Sequence, residues 1–130
     1  MKFFISCCII LILTNCNHKF TKEDIIGKWY IIQVKSKKPN DKPPKIRDCM
    51  YFEINPDSTF ISKHYIETEG LWSFKDNTLT FTTKDLKNKT SSVDLVKIEN
   101  VSQSRLVWTF YTEGAEIKFF LNRKKPKHCK

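Results

Sequence analysis

Three histidines and five cysteines are the groups of this chain best suited to metal binding or nucleophilic chemistry, and their spacing supports little of either. His18, His64 and His128 form no i, i+2 pair and no H-x-x-x-H, so they carry no metal-ligand spacing of their own. They could meet Cys49 or Cys129 only through the fold, and no metal is expected. No serine sits in a G-x-S-x-G elbow, no glycine-rich phosphate loop is present, and no pair of carboxylates stands out. The expectation is therefore no catalytic residue, no cofactor and no enzyme. A thiol nucleophile at Cys49 or Cys129 would need a positive setting to lower its pKa, and none can be assigned to either. His64 alternates with Phe60, Ser62 and Ile66, which turns it toward an interior. There it is either a polar neighbour within a core or a polar anchor for a ligand.

The cysteines divide by place. Lys2 is the only charge before residue 19, and residues 3–13 form a largely apolar run. That run is shorter than the roughly 20 apolar residues that cross a bilayer, and it fits the h-region of a secretory leader. It ends in Leu13-Thr14-Asn15-Cys16, which resembles a bacterial lipobox, although Asn15 is bulkier than the usual small residue there. The expected organisation is a signal peptide over 1–15, a lipidated N-terminus at Cys16 with the start of a short helix over 16–24, and one domain over 25–130. A plain cleaved leader with an incidental Cys16 is the alternative. Cys7 and Cys8 leave with the leader. The two that remain, Cys49 and Cys129, belong to an exported chain, where a pair is more often bonded than free. Closing their loop would contribute roughly 4–5 kcal/mol in the chain-entropy model.

Loss of residues 1–15 removes one of 23 basic residues and none of 14 acids, leaving a formal charge of +8. Such a balance favours anionic partners, and export sets nucleic acid aside among them. Five lysines fall in 35–45 and a basic tail fills 123–130. These are either a solvated surface or a contact with anionic head groups beside the anchor. The implied location is the bacterial envelope, lipid-anchored at the outer membrane, or otherwise secreted or periplasmic. The sequons at Asn88 and Asn100 have no role on that route.

The elements that must position these groups alternate with period two. Thr21 followed by Asp24 reads as the capped start of a brief helix, with Ile25 and Ile26 after it. Eight strands are then expected, at 28–34, 49–55, 59–67, 71–74, 78–83, 91–99, 105–112 and 116–123. Asn55-Pro56-Asp57-Ser58 is a type I turn signal, and Glu69-Gly70, Lys75-Asp76-Asn77 and Glu113-Gly114-Ala115 suit short hairpin connections. Pro39, Pro43 and Pro44 keep the one long connection out of a sheet interior. Short links make neighbours antiparallel, and closure of the meander removes its two edges. The expected fold is all-β: an eight-stranded antiparallel up-and-down barrel with a short N-terminal helix. An open two-sheet sandwich is the other architecture.

Gly27-Lys28-Trp29 at the first strand, Phe52-Glu53-Ile54 with Asn55-Pro56-Asp57-Ser58-Thr59-Phe60, and Gly70-Leu71-Trp72-Ser73-Phe74 leading to Asn77-Thr78-Leu79 together resemble the lipocalin superfamily. The likeness is to its small bacterial lipocalin-like lipoproteins, and it covers nearly all of the mature chain. The resemblance implies that Gly27 and Trp29 form a structural signature at the closed end, with Trp29 beneath a basic side chain from the last strands. Arg123 matches that place best, with Arg105 second. It also implies a C-terminus tethered to the barrel, in keeping with a Cys49–Cys129 bond. Seven residues follow Arg123, too few for the helix that follows the barrel in larger lipocalins.

An eight-stranded barrel is either filled by side chains or wide enough for one small ligand. By default the inward aromatic side chains are core, and the short chain favours a filled barrel. Phe52, Phe60, His64, Phe81, Trp108, Phe110 and Phe119 are the candidate lining residues if the lumen is open. Two functions follow: a membrane-anchored module that binds a small apolar ligand, or a filled barrel that acts as a protein–protein interaction module in the envelope.

Overall fold

The alternation in the sequence closes into a barrel, because each strand pairs with its chain neighbour and the last returns to the first. The structure is a computed structural model that describes residues 19–38, 42, 45–46, 48–64, 66–85, 90–112 and 114–130. The leader, Cys16, His18, the prolines at 39, 43 and 44, the sequon at Asn88 and Glu113 lie outside the described residues. The strands are β1 Gly27–Ser36, β2 Tyr51–Ile54, β3 Thr59–Lys63, β4 Glu67–Lys75, β5 Thr78–Asp85, β6 Thr90–Val101, β7 Arg105–Thr112 and β8 Ala115–Asn122. They run antiparallel in the order β1 to β8 and close through β8 on β1. The expected short helix amounts to a single turn, α1 Lys22–Ile25, where the Asp24 carboxylate accepts from the Thr21 N–H at 2.8 Å.

Inward positions fill one end of the barrel. Trp29 and Ile31 of β1, Ile54 of β2, Leu79 of β5, Ile98 of β6, Leu106 of β7 and Leu121 of β8 are all buried there, with Ile25 of α1 beneath them. Two irregularities keep that face continuous. The β1–β8 register shifts between Ile31 and Gln33, so Gln33 joins Ile32 on the outer face and Val34 returns to the core side. The β6–β7 register shifts between Ile98 and Asn100. Glu99 at that bulge reaches across the outer face to the Thr109 hydroxyl and, at 2.8 Å, to Lys118 Nζ. Those two partners, Lys118 first, hold its carboxyl below the usual range, and the cluster lies over the buried Thr109.

Turn chemistry explains the closed-end hairpins. Asp76 and Asn77 both take positive φ, at 51° and 58°, which is the conformation a two-residue hairpin needs and which Asp and Asn tolerate. Ser58 takes φ 69°, the place where glycine would be unstrained. Asp57 Oδ1 steadies that turn by accepting from the Thr59 N–H at 3.0 Å.

One expected turn is wrong. Glu69-Gly70 is not a connection but lies inside β4, and the reversal falls earlier, between Lys63 and Glu67. The cause is steric. A Cβ on Gly70 would collide with the Thr82 carbonyl of β5 and come within 2.9 Å of the Phe60 ring. Gly70 is therefore required by close strand packing, a role glycine plays as often as it makes turns. The third expected strand consequently ends early, and Ile66, expected inward with His64, is 76% exposed. The eighth strand stops at Asn122, placing Arg123 just past it.

Cys49 and Cys129 are bonded, across 80 residues of sequence. The bond fastens the C-terminal tail beside the start of β2, and Cys129 is itself buried.

Candidate functional site

The two ends of the barrel are built differently. At the closed end, α1 stops after one turn and leaves backbone carbonyls without helical partners. Arg123 and Trp29 take them. Arg123 Nη1 donates to the Ile26 carbonyl at 2.9 Å and Nη2 to that of Asp24 at 3.2 Å, while Trp29 Nε1 donates to that of Ile25 at 2.8 Å. The guanidinium carbon lies 3.9 Å from the centroid of the Trp29 ring, in cation–π contact. Gly27 makes room: its φ is +130°, and a Cβ there would strike Arg123 Nη1. Arg105, the second choice for this role, is exposed at the start of β7. A second tryptophan repeats the device. Trp72 Nε1 donates to the Asn55 carbonyl at 2.8 Å, and Lys22 Nζ lies 5.0 Å from its ring.

Midway along the barrel, aromatic rings form a layer. Phe52 packs on Phe81 with ring centroids 5.6 Å apart, and Trp108 and Phe52 meet edge to face at 4.7 Å. Phe60 meets Phe81 at 4.7 Å, and Phe119 meets Trp108 at 6.5 Å. Above the layer the lumen is open. A cavity of about 260 Å³ lies between it and solvent. Phe52, Phe60, His64, Phe81, Trp108, Phe110 and Phe119, the residues singled out by alternation, all line it. Ser62, Thr68, Thr83, Asp94 and Val96 line it as well.

These additional residues divide the cavity into two sides. Ser62 pairs with Thr68 across β3 and β4, Gly70 pairs with Thr83 across β4 and β5, and Phe81 pairs with Asp94 across β5 and β6. The polar residues thus follow β3 to β6, facing Trp108, Phe110 and Phe119 on β7 and β8. The Ser62 and Thr68 hydroxyls bond one another at 2.6 Å. His64 is half-buried, edge-on to Phe52 at 4.7 Å and to Phe119 at 6.2 Å, and burial lowers its pKa. Its ring nitrogens make no hydrogen bond among the described residues. Among those residues no three His, Cys, Asp or Glu side chains gather as they would around a metal ion.

The polar side had a signal in the sequence. Ser62 shares the parity of Phe60 and His64, Thr83 that of Leu79 and Phe81, and Asp94 that of Val96 and Ile98. Tracing apolar residues alone leaves these out, because at the mouth of a barrel the inward face turns polar.

With this geometry, the chain has a lipocalin-like fold. A lipocalin-like protein from Bacteroides uniformis ATCC 8492 superposes with a TM-score of 0.52 at 18% identity, covering 78% of this chain and 99% of the other. At that identity the likeness is one of fold. No protein-family model and no curated protein matches the sequence.

Proposed function

We propose that the barrel is a binding module that takes a small, largely apolar ligand into its open half, and that it works from the bacterial envelope through a lipid on Cys16. The observation that carries the first part is the cavity of about 260 Å³ above the aromatic layer. A cavity of about 150 Å³ accommodates benzene and drug-sized ligands take roughly 300–1,000 Å³, so the room here suits one or two rings. Aromatic walls with a few polar groups are the usual make-up of such sites. The reading is of binding rather than turnover: Ser62 and Thr68 bond each other, and His64 touches rings instead of a nucleophile. Titration with indole, followed through the indole N–H resonances, should move Trp108 and leave Trp29 in place. A spectrum unchanged at saturating indole would overturn the reading.

The anchor rests on the leader and on Leu13-Thr14-Asn15-Cys16. Cys16→Ser should release soluble or unprocessed protein from membranes; unchanged membrane partition in that variant would remove the claim.

A second reading keeps a specific support. Leu71, Val93, Leu95 and Tyr111 are all more than half exposed on the outer wall, where Leu71 and Val93 both neighbour Thr82. An uncharged row of this kind on a sheet face suits contact with another protein.

A further inference from the structure

We infer that the lumen selects a cation: a mono- or bicyclic aromatic amine whose ring lies against Trp108 and Phe119 and whose ammonium faces Asp94. The inference rests on the small-ligand reading above and names the class of ligand.

The sign of the charge inside the cavity is the starting point. The chain as a whole is basic, at +9, yet no lysine or arginine lines the cavity among the described residues. Among the described residues Asp94 is the one formal charge there, on the inward face of β6 beside Phe81. An anionic ligand would meet Asp94 and, among the described lining residues, no counter-charge. A neutral one would make no use of that carboxylate, which stands exposed at the rim. The positive surface opposes a cation only at long range, since at physiological salt the screening length is about 8 Å. Within the cavity the local carboxylate decides.

The remaining groups agree with a ligand that donates hydrogen bonds on one side and is flat on the other. Ser62, Thr68 and Thr83 lie on the same side as Asp94, and each hydroxyl keeps acceptor capacity beyond the Ser62–Thr68 bond. His64 adds a further acceptor: burial keeps the ring neutral, and its nitrogens are unpartnered among the described residues. Opposite them, Trp108, Phe110 and Phe119 form the apolar wall, and aromatic rings attract a cation and pack against a flat ring. Acceptors with one negative charge on one side and π-faces on the other make a site for an aromatic amine. The volume limits the ring system to one or two rings.

The test uses three probes of one shape and different charge: indole, tryptamine and indole-3-acetate, each titrated calorimetrically into the full-length chain at pH 7. Tryptamine should bind about tenfold tighter than indole, a difference of about 1.4 kcal/mol, and indole-3-acetate should bind weaker than indole. Asp94 stands exposed at the rim, so Asp94→Asn should leave the fold intact, as an unchanged thermal midpoint would show. That variant should lose the advantage of tryptamine while holding indole within about twofold. Equal affinity for the three, preference for indole-3-acetate, or an unchanged ranking in Asp94→Asn would overturn the amine assignment and leave the binding module standing. Failure of all three to bind would overturn both.

Discussion

At the closed end of the barrel Trp29 Nε1 and both Arg123 Nη atoms are spent on backbone carbonyls, whereas at the open end His64, Thr83 and Asp94 keep their polar atoms unpaired among the described residues. Both ends are aromatic. Trp29 and Trp108 are equally buried, at 0% and 1% exposure, so burial does not tell a structural tryptophan from one in a binding wall. What tells them apart is the company each keeps. Trp29 lies between a guanidinium and a helical turn whose carbonyls needed donors. Trp108 lies in a ring layer that forms the floor of the cavity. A satisfied network rigidifies, while groups left without partners are free to meet a ligand.

The comparison is broken most directly at Trp29. Trp29→Ala should destabilise by about 3–5 kcal/mol in urea unfolding, while the surviving folded protein binds indole as before. A mild loss of stability with binding abolished would reverse the roles assigned to the two ends. Arg123→Ala should cost less, about 1–3 kcal/mol, through the cation–π contact and the loss of its bonds to the Ile26 and Asp24 carbonyls. The double variant should cost less than the sum, because the two residues share that contact.

Gly27→Ala probes the same end through its backbone. The added methyl meets Arg123 in a φ region that side chains rarely adopt, and the expected loss is about 1–3 kcal/mol. A neutral result in thermal unfolding would mean that Arg123 does not depend on the space Gly27 leaves.

Phe119→Ala sharpens the contrast from the other end. Phe119 is half-buried and already borders the void, so stability should fall by only about 1–2 kcal/mol. Indole affinity should weaken about three- to tenfold, as expected for losing one aromatic contact. Equal affinity in this variant would move the ligand away from β8.

The smallest effect belongs to His64. Burial lowers its pKa in the folded chain below that of the unfolded chain. On acidification the unfolded state therefore takes up the proton first, and stability declines as pH falls from about 6.5 toward the lowered value. Urea midpoints at pH 7 and pH 5 should differ less in His64→Phe than in the parent. An identical pH dependence would show that His64 is not the group responsible.

The strands were legible because alternation and turn residues agree. Arg105–Thr112 coincides with the expected seventh strand, and Asn55-Pro56-Asp57-Ser58 turns where its chemistry requires. Gly70 was misread because a glycine demanded by a neighbouring carbonyl looks, in sequence, the same as one demanded by a turn. The shortfall at Ile66 followed from it, since a turn shifted toward the N-terminus moves every later residue of the strand out of the assumed face.

By itself the sequence determined the number and order of the strands, the antiparallel meander, and the parity that sends Phe52, Phe60, Phe81, Trp108 and Phe119 inward. These are local properties: period, turn chemistry and short connections. The tertiary structure alone decided that the lumen is hollow above those rings and that Arg123 rather than Arg105 covers Trp29. Each depends on the register between strands that are far apart in sequence and on how side-chain volumes fill a closed cylinder. No single strand carries that information, because a cavity is what the strands leave unfilled between them.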